Sequence, residues 1–390
     1  MENICYVIWK FKSPDNFVNM GGAENQLLKI IKQFRHSDKN ITIIARKTNG
    51  DKEIEIFSDN IKIQRINTTN IRYISMILFM IGLFFLIYKI NRKKRIDIIH
   101  LPLPDIYIAI IYLLRMMLKI PVLTMVASDE LYPKKEKGLW YVDRLVVRYF
   151  MLKLDGIQTL NATAYKIGKK LRYNEEKLFL VPMGVVIPSA MRNYKKLTKN
   201  IVYIGAMRFH PDKHKRGIKN LDFLIESFEE LRKIKSELKL ILVGDGNYRI
   251  KLEEKTKKLD LQDIVVFVGY QTDIVKYHLI ADIFVNPSLR EGMPNAVIEA
   301  MGSGVFVLCS DIHAHRFLIE DNITGVLFNN TSKSDFINKI IDFYNNPEKS
   351  IQIAKNGRKK IEKNFSIDVI VNQLIWMYKK VKYHYIKNNY

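Results

Sequence analysis

The chain has 390 residues, of which 48% are hydrophobic and 26% are charged, and its formal net charge is +23 at pH 7. This composition is ordinary for a globular protein and excludes extensive disorder, and the length is sufficient for two domains with separate cores. Cys5 and Cys309 lie in apolar stretches of different halves, which favours buried thiols in a reducing compartment over a disulfide or a metal site. Glu2, Lys10 and Lys12 interrupt the first apolar run, so no signal peptide is expected.

The positive charge is spread along the chain in short lysine and arginine runs. Much of it fits solvated surfaces, and the alternative is attraction to an anionic surface or substrate. The sequence has no helix-turn-helix, zinc-finger or RNA-binding pattern, so nucleic acid is not an expected partner.

Short apolar stretches alternate with longer helical patterns, which predicts parallel sheets with helices on both faces. In the first half, strands are predicted at 4–8, 41–45, 61–65, 96–99, 122–126, 156–160 and 178–181. Helices are predicted near 23–34, 71–90, 106–118, 142–152 and 163–171.

One predicted helix is unusually apolar, because residues 73–88 include no charged side chain. At 1.5 Å per residue it would span about 24 Å, which is shorter than the roughly 30 Å hydrocarbon core of a bilayer. It is followed by Lys89 and the basic cluster 92–95. Two interpretations remain open: a helix buried in the first domain, or a helix lying in the surface of an anionic membrane. A full membrane span is the least expected, because the strand pattern 96–99 follows at once.

The second half has the same alternation, with a basic segment before it and an amphipathic helix after it. Strands are predicted at 200–204, 238–243, 264–268, 283–285, 305–309 and 326–328, with helices between them. Residues 183–199 have few periodic apolar positions and are interpreted as a domain linker, and residues 365–383 form the amphipathic helix.

The most informative segment is 286–304, which contains two carboxylates with seven residues between them, Glu291 in a loop and Glu299 inside a helix. Pro294 suits the first helical position and Gly304 the stop just past the helix end. The backbone amides of 295–297 would then be unpaired at the positive end of a helix, where anions bind. Such a segment could hold a molecule with both diols and phosphates, as a nucleotide sugar is.

This segment, set between a short strand and a Gly-x-Gly helix stop, resembles the E-x7-E signature of the retaining glycosyltransferases of the GT-B fold, glycosyltransferase family 4 (group 1). The resemblance continues in order from about Cys5 to Tyr378. It implies an α/β protein with two Rossmann-like domains whose parallel sheets face each other across a cleft. The implied domains are 1–187 for the acceptor and 188–365 for the nucleotide-sugar donor, and residues 366–390 would form a helix that crosses back to the first domain.

The resemblance assigns roles to the two carboxylates. Glu291 would face the transferred sugar and Glu299 would bind the ribose, because a carboxylate can accept from two vicinal hydroxyls at once. The other donor-binding residues implied in this segment are Gly292, Met293, Pro294, Asn295, Ala296 and Val297.

The departing diphosphate needs a positive partner, since negative charge grows on its oxygens in the transition state. The chain contains no Asp-x-Asp, so no metal site is expected and basic side chains are the candidates. The residues Gly205 to Arg208 and Lys219-Asn220 resemble the family pattern Gly-x-x-Arg … Lys-Asn, which implies catalytic, diphosphate-binding roles for Arg208 and Lys219. The insert between them is longer and more basic than usual and leaves Lys213 and Lys215 as rivals to Lys219.

Two further loops resemble donor-binding parts of the family. Gly21 and Gly22 open the first helix in a Gly-Gly-x-Glu pattern, where glycine lets backbone approach a bulky ligand. Tyr270 follows a predicted strand in what resembles the base-contacting loop.

Two loops depart from the family pattern. Ala127 stands where a histidine is common, so that Ser128 or Asp129 replaces it or the donor is bound differently. His313 and His315 lie in a loop that more often has a glycine pair, so the rim of the pocket is expected to differ.

The expected function is the metal-independent, retaining transfer of a hexose from a nucleotide sugar, a UDP-sugar in preference to a GDP-sugar, to a glycan or lipid-linked acceptor in surface polysaccharide or lipopolysaccharide biosynthesis. Residues 73–95 suggest peripheral contact with an anionic membrane, and the expected location is the cytoplasm or the cytoplasmic face of the inner membrane. The alternatives are a GT-B sugar-nucleotide epimerase and a non-catalytic basic membrane-associated protein. No other cofactor is expected.

Overall fold

The structure is a computed structural model that describes residues 2–12, 22–35, 37–126, 139–170, 173–209 and 217–389. Its strands are β1 (Asn3–Lys10), β2 (Asn40–Arg46), β3 (Ile54–Ser58), β4 (Ile61–Ile66), β5 (Ile98–Leu101), β6 (Val122–Val126), β7 (Gly156–Thr159), β8 (Leu178–Leu180), β9 (Asn200–Ile204), β10 (Lys239–Val243), β11 (Val265–Gly269), β12 (Ile283–Asn286), β13 (Phe306–Ser310) and β14 (Val326–Phe328). Its helices are α1 (Gly22–Phe34), α2 (Arg72–Lys93), α3 (Ile108–Leu118), α4 (Leu139–Met151), α5 (Ala162–Lys170), α6 (Leu221–Arg232), α7 (Arg249–Lys258), α8 (Val275–Ile280), α9 (Asn295–Gly302), α10 (His313–Leu318), α11 (Lys333–Asn345), α12 (Pro347–Phe365) and α13 (Ile367–Asn389).

The chain divides into two compact α/β units, the first formed by Met1–Gly184 with Ile367–Tyr390 and the second by Val185–Ser366. The last helix, α13, therefore belongs to the first unit. The predicted fold class is confirmed: each unit has a parallel, Rossmann-like sheet covered by helices.

The sheet of the first unit has the strand order β3-β4-β2-β1-β5-β6-β7-β8 among the described residues. Its strands pair in parallel except β3, which runs antiparallel to β4 at the edge. The sequence analysis did not predict β3. This short strand exposes Ile54 and Ile56, which are 52% and 74% accessible, so its apolar residues give no signal of burial.

The alternation of side chains along β1 divides the core of the first unit into two layers. Ile4, Tyr6 and Ile8 pack with α1 and α13, whereas Cys5 and Val7 pack with α2 and α3 on the opposite face. Cys5 and Cys309, in the two units, are both buried free thiols, and burial raises the pKa of each.

The apolar helix α2 is buried along one stripe and exposed along another. Ser75, Phe79, Leu83 and Ile87 are fully buried and recur at helical spacing. The exposed stripe consists of Tyr73, Ile74, Ile77, Leu78, Ile81, Phe85 and Tyr88. Residues Tyr73–Lys93 are long and apolar enough to cross a membrane by length and composition, and 22% of that window is buried in the protein. One face of α2 is thus buried in the first unit, and contact of the exposed face with a membrane stays a prediction.

The sheet of the second unit is parallel throughout, with the order β11-β10-β9-β12-β13-β14 among the described residues. The chain starts at β9, adds β10 and β11 on one side, and then returns to add β12, β13 and β14 on the other. The direction of winding therefore reverses between β9 and β12. In open α/β sheets, the carboxyl ends of strands at such a switch point form the ligand crevice.

The segment interpreted as a linker is packed from residue 185 onward. Arg192 is 5% exposed and donates to the Ala281 carbonyl and to the Asp282 carboxylate at 2.8 and 2.7 Å. Asp282 also accepts from the Thr198 and Lys199 amides. Because a buried ion pair with further hydrogen bonds fixes both partners, residues 185–199 form part of the second unit rather than a solvated connection.

Candidate functional site

The candidate site of the second unit lies in the loops that follow β9, β12 and β13. These loops meet because Leu289, after β12, donates its amide to the Ile218 carbonyl at 2.8 Å. That backbone hydrogen bond brings Lys219, the residue after Ile218, beside the loop that contains Glu291. The site thus occupies the carboxyl edge of the sheet at its switch point.

Lys219 and Glu291, which the sequence predicted to act in one site, form an ion pair. Lys219 Nζ donates to Glu291 Oε1 at 2.5 Å. The Lys219 side chain is 30% exposed and that of Glu291 is 12% exposed, so the pair is open to solvent on the ammonium side. Charge-assisted hydrogen bonds of this kind are about twice as strong as neutral ones.

The turn Asn286-Pro287-Ser288 holds Glu291 from the other side. The Asn286 side chain accepts from the Ser288 amide at 3.2 Å, which closes a turn directly after β12. The Ser288 hydroxyl then donates to Glu291 Oε1 at 2.8 Å. The local sequence therefore determines where this carboxylate lies.

The surroundings of Glu291 keep it ionised. Burial by itself would raise the pKa of its carboxyl group, but the charge of Lys219 and the hydrogen bonds from Lys219 and Ser288 outweigh burial and lower that pKa below its usual value. A carboxylate in this state accepts hydrogen bonds and attracts positive charge. It is thus suited to bind the hydroxyls of a sugar or to stabilise positive charge at an anomeric carbon.

His315 and Ser310 extend the same hydrogen-bonded network to β13. The Ser310 hydroxyl donates to the Ser288 carbonyl at 2.5 Å, and the fully buried His315 places Nδ1 2.7 Å from the Ser310 carbonyl. Because a carbonyl only accepts, Nδ1 bears the proton in this contact. Nε2 of His315 is then an acceptor, and it is buried without a hydrogen-bond partner in the described part of the chain.

Burial lowers the pKa of His315, and its hydrogen bond to Ser310 and the charge of Glu291 offset this only in part. The imidazole is therefore neutral near pH 7. The sequence analysis noticed His315 only as a change in the pocket rim, because the spacing of the loop does not reveal that its side chain turns inward.

The start of α9 differs from the prediction. Pro294 precedes the first helical residue, and the amides of Asn295 and Val297 donate to the carbonyls of Met293 and Pro294, both at 3.0 Å. The expectation that the amides of 295–297 are all unpaired is therefore wrong, because the chain turns tightly around Pro294 and uses two of them. Gly304 has φ +73° just past the helix end, as predicted.

Glu299 lies within α9 and is partly buried. It is close enough to the buried His278 for its charge to act on that imidazole, whose pKa burial lowers to about 4 against the opposing effect of Glu299. His278 Nδ1 lies 3.2 Å from the Ser303 hydroxyl, which in turn donates to the Glu299 carbonyl. This contact links α8 to the backbone of α9 at Glu299.

Arg208 is exposed in the loop after β9, and its guanidinium makes no ion pair with the described residues. Within the part of the chain that the structure describes, no hydrogen bond or ion pair joins it to the Lys219–Glu291 pair. Gly205, three residues earlier, is required for packing, because a Cβ there would lie 2.5 Å from the Tyr203 hydroxyl. Lys213 and Lys215 are outside the described residues.

A glycine pair that the sequence analysis missed shapes the same edge. Gly244 and Gly246 follow β10 with φ +138° and +157°, and a Cβ on either would lie about 2 Å from the carbonyl of Gly205 or Met207. Met207 in turn donates its amide to Asp245 at 2.9 Å. The signal was a Gly-x-Gly directly after a strand, which fixes the loop of Arg208 through close backbone approach.

The remaining predicted residues are placed apart from this network or lie outside the described chain. Tyr270 follows β11, with β10 between its strand and β9, and its side chain is 45% exposed. Gly292 and Met293 lie in the partly exposed loop between Glu291 and α9. Gly22 begins α1 in the first unit. Gly21, Ala127, Ser128 and Asp129 are outside the described residues.

The paired groups can act on two parts of one ligand. An ammonium group has three donors, so Lys219 can bind phosphate oxygens while it holds Glu291. The carboxylate can accept hydroxyls on its other oxygen. Within the described ranges, no group of three His, Cys, Asp or Glu side chains is arranged to hold a metal ion.

Two glycosyltransferase families match consecutive parts of the chain. Residues 20–187 match the family described as Glycosyltransferase Family 4, and residues 214–360 match the one described as Glycosyl transferases group 1. The second match includes Lys219, Glu291 and Glu299, and the first includes Gly21 and Gly22.

The curated relatives match this chain over less than half of their own length. The putative glycosyltransferase EpsD of Bacillus subtilis is 30% identical over 141 residues, which are 36% of this chain and 37% of EpsD. The UDP-Gal:alpha-D-GlcNAc-diphosphoundecaprenol alpha-1,3-galactosyltransferase of Escherichia coli is 30% identical over 139 residues, 35% of this chain and 36% of that enzyme. The chain thus matches little more than a third of the length of either relative.

Solved structures match over nearly the whole chain. Anabaena HepE in complex with UDP-glucose has a TM-score of 0.73 at 16% identity and covers 96% of this chain and 99% of its own. At such low identity the likeness shows the fold alone. The chain therefore has the GT-B fold, and the two family models, each of which matches one part of it, indicate a glycosyltransferase.

Proposed function

We propose that the protein transfers a hexose from a nucleotide sugar to an acceptor hydroxyl, with retention of configuration and without a metal ion. The observation on which this proposal rests is the ion pair between Lys219 and Glu291 at the switch point of the second sheet. A fixed cation and an ionised carboxylate at this place suit a ligand that has a diphosphate and a sugar joined by one bond.

In the proposed reaction, the bond between the anomeric carbon and the diphosphate oxygen breaks and a bond from that carbon to the acceptor oxygen forms. The acceptor hydroxyl gives its proton to the departing diphosphate. Lys219 neutralises the charge that grows on the diphosphate, with Arg208 as the second base. Glu291 holds the sugar hydroxyls, and Glu299 binds the ribose. Tyr270 contacts the base.

The comparisons favour a UDP-sugar. Anabaena HepE was solved with UDP-glucose, and the name of the Escherichia coli relative specifies UDP-Gal. That relative also acts on a diphosphoundecaprenol-linked acceptor by name, which supports a glycan or lipid-linked acceptor for this chain. Surface polysaccharide or lipopolysaccharide synthesis is the corresponding role.

The surface of the first unit has features that suit binding to a membrane. The exposed stripe of α2 is followed by Arg92 and Lys93. Helices α3 and α4, with the residue after α4, add exposed large apolar side chains: Leu113, Met116, Met117, Leu145, Tyr149 and Leu152. Such apolar and basic surfaces bind anionic bilayers. We therefore infer peripheral contact through residues 73–95, at the cytoplasmic face of the inner membrane.

Thermal unfolding with a panel of nucleotide sugars (UDP-glucose, UDP-galactose, UDP-N-acetylglucosamine and GDP-mannose) tests the donor. At 100 times its dissociation constant, the true donor should add about 2.7 kcal/mol to the free energy of unfolding. Glu299→Ala should abolish this stabilisation. Glu254→Ala, an exposed glutamate of α7, is the matched control and should keep it. Equal stabilisation of both variants, or none by any nucleotide sugar, would contradict the proposal.

Product analysis separates transfer from epimerisation. Incubation with the donor alone should leave the sugar unchanged, and transfer should need an added acceptor. A new nucleotide sugar formed without acceptor would instead indicate an epimerase.

Vesicle co-sedimentation tests the membrane contact. Replacing Ile77, Ile81 and Phe85 by serine should weaken binding to vesicles containing phosphatidylglycerol at least tenfold, since each large apolar side chain contributes roughly 1.5–3 kcal/mol on burial. The control replaces Ile234 and Ile250, which are equally exposed in the second unit, by serine. Loss of binding in the control alone would place the contact elsewhere.

A further inference from the structure

A cavity of about 690 Å³ lies in the first unit between the second half of α2 and the sheet. It is lined on the sheet side by residues near the start of neighbouring strands, among them Asn3 of β1 and Asn40 and Thr42 of β2. It therefore lies toward the amino ends of these strands. The Lys219–Glu291 site is in the other unit, so the cavity is not part of the candidate active site.

The helix and the sheet meet closely at Gly82. A Cβ there would lie 2.5 Å from Cγ2 of Ile66 on β4, so glycine permits this approach. Phe85, Leu86 and Ile90 follow along the helix and form an apolar wall of the cavity. Elsewhere, the face of the sheet on the α2 side is covered by buried side chains such as Val7 and Ile99.

The opening of the cavity is basic. Lys62, Lys89, Lys93 and Lys94 line it and are all exposed, so their ammonium groups are available to a ligand. The acidic residue that lines the cavity is Glu53. The cavity thus combines an apolar wall with an excess of positive charge at its opening.

We propose that this cavity binds one molecule of anionic phospholipid. The ammonium groups hold the phosphate, and an acyl chain lies against Phe85, Leu86 and Ile90. Phe85 is 64% exposed and belongs both to the cavity and to the exposed stripe of α2, so the cavity is continuous with the surface that faces outward. A phosphate without an apolar chain would leave this wall unused, and a neutral lipid would leave the lysines unpaired.

Titration with dihexanoylphosphatidylglycerol below its critical micelle concentration, followed by calorimetry, tests the proposal without a bilayer. This lipid should bind at one site per chain. Dihexanoylphosphatidylcholine, which has the same chains and no net charge, should bind at least tenfold more weakly, and glycerol phosphate should not bind measurably. Equal affinity for the two lipids, or for glycerol phosphate, would overturn the assignment of an anionic phospholipid.

Two sets of variants locate the site. The triple change Lys62→Gln, Lys89→Gln and Lys93→Gln should weaken dihexanoylphosphatidylglycerol at least tenfold. The control changes exposed lysines of α1 and α13, on the opposite face of the same sheet: Lys32→Gln, Lys379→Gln and Lys380→Gln. It removes the same charge and should leave the affinity unchanged. Equal loss in both triple variants would mean general charge attraction and no site.

Gln64→Trp, at a partly exposed position on the sheet side of the cavity, should fill the cavity and weaken binding while all surface lysines remain. Undiminished binding by this folded variant would overturn the proposal. If it does not fold, the two triple variants decide. Stabilisation by UDP-glucose, measured in parallel, should be unchanged in every variant, so failure of the lipid site is distinguishable from failure of the proposed transfer reaction.

Discussion

The two units follow the same plan of a parallel sheet between helices but differ in what they leave unburied. The second unit concentrates paired polar groups at the carboxyl edge of its sheet, where Lys219, Glu291, Ser288, Ser310 and His315 form one network. The first unit instead exposes large apolar side chains along α2, α3 and α4. Large exposed apolar patches often mark sites of contact with a partner or a membrane, which is why peripheral membrane contact is proposed for the first unit.

The difference has a physical origin in the cost of burying charge. A carboxylate as buried as Glu291 persists only if a cation and hydrogen bonds compensate its lost hydration. Apolar side chains need no such pairing when they are buried. When they are exposed, the free-energy cost of their contact with water is removed only if a partner covers them. Glu291 is therefore compensated by residues of its own unit, whereas the exposed stripe of α2 is not covered by the described residues.

The largest expected effect contrasts the two faces of α2. Phe79→Ala should lower the free energy of unfolding by about 3–5 kcal/mol, because this fully buried ring packs against Trp9 and Tyr107. Phe85→Ala, on the exposed face, should change it by less than about 0.5 kcal/mol. Urea unfolding measures both, and equal costs would mean that α2 is oriented differently.

Removal of the cation of the second unit should have the next largest effect. Lys219→Met leaves Glu291 without its partner and should reduce kcat/KM for sugar transfer about 10²–10³-fold, as loss of a charge-stabilising group does elsewhere. Lys233→Met, in the same unit just after α6 and on the surface, is the matched control. Activity equal to that of the control would remove Lys219 from the mechanism.

Lowering the pH should reduce the free energy of unfolding of both units through their buried histidines. Burial lowers the pKa of His278 in the second unit to about 4 and that of His100 in the first to about 3. Each imidazole is neutral in the folded protein and protonates more readily when unfolded. Their contribution is therefore fully present above about pH 6.5 and decreases as the pH falls toward the folded values.

The expected loss is about 3 kcal/mol for His278 between pH 6.5 and 4. His278→Asn should flatten this part of the profile of unfolding free energy, and His313→Asn, an exposed histidine, should not. The same slope in both variants would show that His278 does not determine it.

The smallest effect concerns the positioning of Glu291. Ser310→Ala removes the hydroxyl that donates to the Ser288 carbonyl and should lower kcat by about tenfold with little change in KM, since misplacement of a catalytic group costs turnover. Ser310→Thr keeps the hydroxyl and should restore most of the rate. A loss of thermal stability without a change in kcat would indicate a purely structural role.

The sequence was sufficient to predict the strands of both sheets other than β3, and it named the two residues, Lys219 and Glu291, that the structure pairs. Period-two and period-3.6 patterns predict elements wherever one face is buried, so the strands of both parallel sheets were predicted and the exposed edge strand β3 was not. The spacing around Glu291 and the Lys-Asn pair after β9 indicated the carboxylate and the cation that the structure joins.

Only the tertiary structure decided which of these groups meet. The hydrogen bond from Leu289 to Ile218 links loops that are about 70 residues apart in the chain, and no local pattern encodes such a contact. The inward turn of His315 and the division of α2 into a buried and an exposed face depend on neighbours from other elements. Sequence periodicity records how often a side chain is apolar, whereas packing determines which side chains are covered and by what.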